Sequence, residues 1–298
     1  MVSSTSLYDE LNDGKATFDN VYNHPDPRAY FATLGRLGYC IPEQARPVFE
    51  TLIGALKEER GTEVPTVVDI GCSYGVNAAL IKYDLSIDEL YARYAQPQLA
   101  RLDTGTLLKR DAEFFARQVV RTDVNVVGVD CAEKAVDYAA ATGLLDAGVV
   151  ADLESQLPSP EAAEQLAPAD LVISTGCVGY VTDTTFERIL SETADQPPLP
   201  WVASFVLRMF SYEPIAAALA DRGLVTEKLD GATFLQRRFE SADEKEHVLR
   251  QLEALGVDPA GKEENGFYHA EFFLSRPAKE VAARPLPSIL PEGHTPRH

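Results

Sequence analysis

The sequence predicts an α/β fold in which helices cover a mostly parallel sheet. Two observations predict it: short apolar β-type runs alternate with helical patterns between residues 64 and 224, and several runs end at acidic or small polar residues. At 298 residues the chain is long enough for one large core with additions. Because the alternation continues through this region, we expect one core rather than two domains.

The first strand and the turn after it form the most informative stretch. Residues 67–75 read Val-Val-Asp-Ile-Gly-Cys-Ser-Tyr-Gly, an apolar run that contains Asp69 and passes into small residues before a helical pattern. Small residues let a ligand lie against the backbone, and the first turn of the next helix offers N–H groups that lack intrahelical partners. A ligand site is therefore predicted at this turn.

Three later β-type runs also end at polar or small residues. Residues 124–130 end at Asp130, residues 148–152 end at Asp152, and residues 170–176 end in Ser-Thr-Gly. In an open α/β sheet, ligands bind outside the carboxyl ends of the strands. These three ends are therefore expected to converge with the first turn on a single crevice.

The turn and the strand ends together resemble the class I S-adenosylmethionine (SAM)-dependent methyltransferase family, over roughly residues 64–276. The resemblance implies a doubly wound, seven-stranded, mostly parallel sheet with an antiparallel last strand, and SAM as the cofactor. It implies these cofactor contacts: Asp69, Gly71, Ser73 and Gly75 at the methionine end, Asp130 at the ribose hydroxyls, Asp152 and Leu153 at adenine, and Ser174, Thr175 and Gly176 beside the methyl group.

Two details modify this resemblance. Ser73 stands where the family has its middle glycine, but a small residue still fits there. Cys72, Cys131 and Cys177 each follow the end of a predicted strand, so all three are expected to border the cofactor. They either fill tight corners as small apolar residues or make the pocket sensitive to thiol reagents.

Other interpretations of the same turn are weaker. Residues 71–75 match the Gly-x-Ser-x-Gly nucleophile elbow of α/β-hydrolases, but that elbow follows several core strands and an oxyanion loop, which are not seen before Ser73. An NAD(P)-dependent Rossmann oxidoreductase would need Gly-x-Gly-x-x-Gly spacing to bind a pyrophosphate, and this turn lacks that spacing. A non-catalytic SAM-binding sensor or scaffold stays open on sequence alone.

The core is expected to carry additions. Residues 1–62 are predicted to form an N-terminal helical cap, in which Tyr22, Tyr30 and Tyr39 either cover the cofactor or simply pack on the sheet.

The interval from Asp69 to Asp130 exceeds the roughly 20 residues usual in a Rossmann-type unit, which predicts a helical insertion at about residues 84–121. The insertion would be a lid or acceptor wall, or else a surface decoration or homodimer contact. Residues 63–276 would form the SAM-binding core, and the proline-rich residues 277–298 a disordered tail.

Methyl transfer from a sulfonium is an in-line displacement, so orientation and exclusion of water should supply most of the catalysis. Tyr180, in the loop after Gly176, is a candidate acceptor-facing residue. His269, on the last strand, is a candidate general base, although a half-exposed strand histidine without a catalytic role is the alternative. The acceptor is expected to be an oxygen or nitrogen atom of a small molecule or peptide.

Composition narrows the partners and the location. A formal net charge of -19 argues against nucleic acid, whose phosphates are bound by Lys and Arg. The sequence has no apolar run of membrane-spanning length and no signal-peptide pattern at its start, so we expect a cytoplasmic protein without a membrane partner. Four cysteines without paired spacing predict neither a disulfide framework nor a metal site.

Overall fold

The computed structural model describes residues 19–120, 123–194 and 197–290, and it contains one sheet between two layers of helices. The strands are β1 (Thr66–Ile70), β2 (Asn125–Asp130), β3 (Ala147–Val150), β4 (Leu171–Thr175), β5 (Trp201–Leu207), β6 (Leu224–Lys228), β7 (Phe234–Arg238) and β8 (Phe267–Pro277).

The helices before β3 are α1 (Asp19–Tyr22), α2 (Arg28–Arg36), α3 (Ile41–Arg60), α4 (Val76–Lys82), α5 (Ile87–Tyr94), α6 (Pro97–Ala100), α7 (Thr104–Phe115) and α8 (Glu133–Ala141). The later helices are α9 (Pro160–Leu166), α10 (Asp183–Glu192), α11 (Glu213–Asp221), α12 (Ala242–Ala254), α13 (Ala278–Ala283) and α14 (Leu286–Ile289), with a 3-10 turn at Glu263–Asn265.

The sheet has the order β3-β2-β1-β4-β5-β8, with β6 and β7 on the outer edge of β8. The first five strands pair in parallel, whereas β8 is antiparallel to each of its neighbours. β6 pairs with residues 273–277 of β8, and β7 continues in the same direction along residues 267–270. Eight strands therefore fill seven positions, and the predicted seven-stranded α/β sheet with an antiparallel last strand is confirmed.

The sheet is doubly wound because side chains alternate between its two faces. Val67 belongs to the core that α3, α4 and α8 cover, while its neighbour Val68 belongs to the core that α9, α10, α11 and α12 cover. All seven residues of β5 are buried, as expected for a central strand covered on both faces. The carboxyl ends of β1, β2 and β4 consequently lie side by side, between the two helix layers.

The cap and the insertion pack on each other. Phe31 of α2 stacks on Tyr94 of α5, with ring centroids 4.4 Å apart, and the buried side chains of Ile87 and Leu90 complete the same face of α5. From the cap, Arg28 donates hydrogen bonds to three backbone carbonyls of residues 99–102. The cap therefore contacts the insertion both before α6, at Tyr94, and at the C-terminal end of α6.

The C-terminal segment differs from the predicted disorder after residue 277. Residues 278–283 and 286–289 are helical, and Leu286, Ile289 and Leu290 are buried. Proline is compatible with this because it lies in the first turn of α14, where its missing N–H is not needed. The rest of the predicted tail, residues 291–298, lies outside the described residues.

Within residues 19–120, 123–194 and 197–290, no helix has both the length and the apolar character needed to cross a bilayer.

Candidate functional site

A cavity of about 430 Å³ lies at the carboxyl ends of β1, β2 and β4, beneath the N-terminal cap. Its volume is within the range of pockets for small ligands and cofactors. Ten of the residues predicted from the sequence to be functional line it: Gly71, Cys72, Ser73, Asp130, Cys131, Asp152, Leu153, Thr175, Gly176 and Tyr180. Four others do not line it: Asp69, Gly75, Ser174 and His269.

The turn after β1 is shaped by residues with positive φ. Gly71 has φ +70°, and a Cβ there would come within 3.0 Å of Cys177 Cβ, so both backbone conformation and space favour glycine. Ser73 has φ +47°, which is uncommon for a residue with a side chain. Its buried hydroxyl has no hydrogen-bond partner among the described residues, although Ser73 borders the cavity. A ligand in the cavity could satisfy this hydroxyl.

Asp130 links the end of β2 to this turn. Its Oδ2 accepts a hydrogen bond from the backbone N–H of Ser73, and its Oδ1 accepts one from the backbone N–H of Ala132, both at 2.9 Å. Each carboxylate oxygen retains a lone pair for a further donor. The carboxylate is thus fixed in orientation at the cavity wall, with acceptor capacity left for a ligand.

Asp69 lies one layer behind the cavity wall. It is fully buried, and its Oδ1 accepts a hydrogen bond from Asn77 Nδ2 at 2.9 Å. Asn77 lines the cavity and donates a second hydrogen bond, to Thr175 Oγ1, at 3.0 Å. Asp69 therefore acts on the cavity through Asn77, which sequence reasoning missed although it lies only two residues beyond Gly75.

The electrostatic state of Asp69 depends on this burial. Burial raises the pKa of Asp69 to about 7, while the hydrogen bond from Asn77 lowers it and the nearby Asp130 carboxylate raises it. Because the unfolded value is near 3.8, the folded protein binds more protons between these two values. The stabilising contribution of Asp69 is therefore complete below about pH 4, and it is lost as the pH rises through about 7.

The substitution Asp69→Asn should remove this pH dependence. Between about pH 5 and about pH 8, the free energy of unfolding of the native protein should fall by about 2–3 kcal/mol more than that of the variant. Urea unfolding of both proteins at the two pH values measures the difference. Identical pH curves for the two proteins would contradict the raised pKa.

Gly75 and Ser174 contribute to packing and do not line the cavity. A Cβ on Gly75, which has φ +73°, would lie 3.1 Å from Ala139 Cβ, so this glycine allows close packing of α4 on α8. Ser174 is fully buried in β4 between Ile70 of β1 and Ser204 of β5. The adjacent Thr175 borders the cavity instead, because successive side chains of a strand point to opposite faces.

His269 is buried in β8, away from the cavity. Its backbone carbonyl accepts a hydrogen bond from the N–H of Arg208, and it lies opposite Leu235 of β7. The residue is 6% exposed, so it is not the half-exposed strand histidine of the non-catalytic alternative either. The candidate base His269 is not among the residues that line the cavity. Tyr180, by contrast, is 50% exposed and lies at the cavity mouth.

The loop that carries Tyr180 is held by Glu154. The carboxylate of Glu154 accepts hydrogen bonds from the backbone N–H and the hydroxyl of Thr182, at 2.9 and 2.8 Å, and from the hydroxyl of Thr185. Glu154 follows β3 and itself lines the cavity. It thereby joins the end of β3 to the loop after β4, a role that no sequence pattern had indicated.

The cap supplies the opposite wall. Tyr22, Tyr30 and Tyr39 line the cavity, and the Tyr30 ring is in edge contact with both Tyr22 and Tyr39, at centroid distances of 5.7 and 6.5 Å. No described residue of the insertion lines the cavity. The cap, and not the insertion, therefore borders the cavity, and the insertion packs on the cap.

Cys72, Cys131 and Cys177 all line the cavity, as predicted, but they differ in reactivity. Burial raises the pKa of Cys177 to about 12 and that of Cys72 well above its usual value; it also raises the pKa of Cys131, but that residue is exposed. Because the thiolate is the reactive form, iodoacetamide at about pH 8 should modify Cys131 at least ten times faster than Cys72 or Cys177. Peptide mass spectrometry would show this order, and equal labelling of the three would contradict it.

No cluster of three or more His, Cys, Asp or Glu side chains suited to a metal ion occurs among the residues that the structure describes.

Comparison with known proteins gives structural neighbours only. No protein-family model matches the chain, and no curated protein matches it. Magnesium protoporphyrin IX methyltransferase (ChlM) from Synechocystis PCC 6803, solved with bound SAM, is 11% identical with a TM-score of 0.40, over 93% of this chain and 99% of that chain.

Two further neighbours are comparably distant. The plantazolicin methyltransferase BamL, in complex with a triazolic desmethylPZN analog and SAH, is 12% identical with a TM-score of 0.43, over 92% of this chain and 99% of that chain. A TehB-like SAM-dependent methyltransferase from Corynebacterium glutamicum is 17% identical with a TM-score of 0.33, over 75% of this chain and 85% of that chain. Similarities this low establish no activity, which has to be inferred from the cavity itself.

Proposed function

We propose that this protein is a class I SAM-dependent methyltransferase that methylates an oxygen or nitrogen atom of a small molecule or peptide. The observation that carries the proposal is the Asp130 carboxylate, which ends β2, borders the cavity and is fixed by two backbone N–H groups. A carboxylate held in this way can accept hydrogen bonds from the two hydroxyls of a ribose. It lies beside the small-residue turn that resembles the family's first motif.

The charge of the cavity favours SAM over a dinucleotide. Asp130, Asp152 and Glu154 line it, while Arg237 is the one Lys or Arg among its described lining residues. Arg237 is already paired with Glu244, at 2.7 Å. A pyrophosphate would therefore find no unpaired cation there, whereas the positive sulfonium of SAM suits an acidic surrounding.

Different residues of the cavity would hold different parts of SAM. Asp130 would bind the ribose, Asp152 and Leu153 would contact adenine, and the turn at Gly71 and Ser73 would hold the methionine end. Thr175 and Gly176 would lie beside the methyl group, and the cap tyrosines would close the cavity. Asp69 would support this arrangement through Asn77 rather than by direct contact.

The chemistry follows from this placement. When bound, SAM supplies a methyl group on a sulfonium sulfur. The lone pair of the acceptor atom attacks the methyl carbon and displaces the sulfur. The protein's part is to hold the acceptor in line and to exclude water, an effect worth about 7–11 kcal/mol in well-oriented reactions. The cap, with Tyr30 and Tyr39 over the strand ends, is the element that excludes water here.

Transfer of label from tritium-labelled SAM tests the activity. The purified protein should convert SAM to its demethylated product, S-adenosylhomocysteine (SAH), in the presence of a suitable member of a panel of aromatic amines, phenols, alcohols and short peptides. The Asp130→Ala variant, assayed in the same way, serves as the negative control. Binding of SAM without any SAH formation across the panel would contradict a transferase and favour a sensor or scaffold.

A further inference from the structure

A β-bulge in β7 turns Gln236 toward the cavity. Leu235 pairs with His269 and Arg237 pairs with Tyr268, so Gln236 is an extra residue without a partner position on β8. Bulges commonly redirect a side chain near a functional site. The backbone carbonyl of Gln236 accepts a hydrogen bond from the N–H of Cys40, at 2.8 Å, which fixes the bulge against the cap.

The amide of Gln236 is buried and incompletely satisfied. The residue is 5% exposed, it lines the cavity, and its Oε1 has no hydrogen-bond partner among the described residues. A buried amide oxygen without a partner is unfavourable, because it has lost its hydrogen bonds to water without gaining new ones. This cost would be recovered if a ligand donated a hydrogen bond to it.

Gln236 lies directly against Gly176. A Cβ built on Gly176 would come within 2.9 Å of Gln236 Nε2 and 3.1 Å of Oε1, so the amide occupies the space that a larger residue at 176 would fill. In the proposed function Gly176 borders the transferred methyl group. The unpartnered Gln236 oxygen is therefore next to the position that the acceptor must reach.

The wall around Gln236 is largely aromatic, and its cation, Arg237, is paired. Tyr30 and Tyr39 face the same cavity, and burial raises the pKa of both phenols well above the usual value, so they stay protonated. Arg237 donates to both carboxylate oxygens of Glu244, at 2.7 and 3.1 Å, and its guanidinium lies 4.6 Å from the Tyr268 ring centroid. The wall therefore offers a carboxylate no unpaired cation among the described residues.

The carboxylates that could accept a proton from an alcohol already hold parts of the fold, and in the proposed function Asp130 and Asp152 would also bind the ribose and contact adenine. Asp130 accepts hydrogen bonds from two backbone N–H groups, Asp152 accepts from Glu154 N and Ser155 Oγ, and Glu154 holds the loop at Thr182. An alcohol must lose its proton to react, whereas an uncharged amine carries a free lone pair. A nitrogen acceptor thus fits this wall better than an oxygen acceptor.

We infer that Gln236 determines acceptor specificity, by accepting a hydrogen bond from an uncharged aromatic N–H group whose nitrogen is then methylated. This inference rests on the proposed function. The nitrogen lone pair forms the new N–C bond as the S–C bond breaks, the sulfonium becomes the neutral thioether SAH, and the proton of the resulting ammonium passes to solvent. Gln236 touches the acceptor and aims its lone pair, and it takes no proton.

The inference can be tested with simple probes on the SAH-loaded protein. Aniline is uncharged at neutral pH and donates an N–H, toluene has the same shape without a donor, and benzoate is a charged carboxylate. By saturation-transfer NMR titration, the native protein should bind aniline at least about tenfold more tightly than toluene or benzoate. With SAM, aniline should yield N-methylaniline, and phenol should yield no anisole.

Two variants separate hydrogen bonding from shape. Gln236→Leu should reduce the preference for aniline over toluene to within about twofold, while Gln236→Glu, which keeps an acceptor oxygen, should retain it. Gln98→Leu, an exposed glutamine on α6, is the control and should behave as the native protein. SAH affinity of each variant, by calorimetry, establishes that the cavity is intact.

The outcomes are distinguishable from failure of the proposed function. If the native protein binds neither SAM nor SAH, the proposed function fails. If it binds SAH but prefers benzoate or toluene, or methylates phenol rather than aniline, the assignment of an N–H acceptor is overturned. If SAH-competent Gln236→Leu keeps the full preference for aniline, Gln236 does not determine specificity.

Discussion

Replacing Asp130 with alanine should weaken SAM binding by at least roughly 100-fold. The substitution removes the acceptor for the proposed ribose hydroxyls, and it also removes the partner of the Ser73 N–H, at 2.9 Å, which holds the turn in place. Hydrogen bonds to a charged group contribute about 1.5–3 kcal/mol each, so two of them account for at least 100-fold in Kd. Calorimetric titration of the variant with SAM measures the change.

Asp137→Ala provides the matched control for Asp130. Asp137 lies on the same βα unit, on the exposed side of α8, so its removal changes the net charge equally without touching the cavity. We expect native SAM affinity for this variant. An Asp130→Ala protein that still binds SAM with native affinity would show that the end of β2 is not where the cofactor's ribose lies.

Replacing Asp111 with alanine should have the largest effect on stability. Asp111 is fully buried in α7, where it accepts hydrogen bonds from Arg93 Nε at 2.9 Å, from the Tyr94 hydroxyl at 2.7 Å and from the Tyr138 hydroxyl at 2.6 Å. Removing one member of a buried charged pair costs about 3–5 kcal/mol, because the remaining charge stays buried. The midpoint of urea unfolding should fall accordingly.

The control for Asp111 lies on the same helix. Glu113 forms an exposed ion pair with Arg117 at 3.5 Å, and such pairs contribute about 0–1 kcal/mol. Glu113→Ala should therefore unfold close to the native midpoint. If Asp111→Ala were equally mild, the network would not be what fastens the insertion to α8 and supports the cap.

Much of the fold and of the cavity wall could be predicted from the sequence. Local patterns carry this information: the predicted β-type runs end within two residues of the ends of β2, β3 and β4, and parallel strands bring their carboxyl ends to one edge. Asp130 and Asp152 were found in this way, and so was the turn at Gly71. The resemblance to a known family then ordered these residues along one ligand.

Other features depend on long-range contacts that no local pattern encodes. Gln236 reaches the cavity through a register break between β7 and β8, and His269 is buried in β8 at the position opposite Leu235. The insertion follows the first βα unit in sequence, but it packs on the cap through the stacked rings of Phe31 and Tyr94. Residues after 277 were expected to be disordered from proline content, yet Leu286 buries in the core.

Calorimetric titration of the purified protein with SAM tests the central claim most directly. If the crevice at the ends of β1, β2 and β4 binds a sulfonium nucleoside, SAM and SAH should each bind with one site per chain, and NAD should produce no heat of binding. Absence of binding by both SAM and SAH, or tighter binding of NAD, would contradict the account.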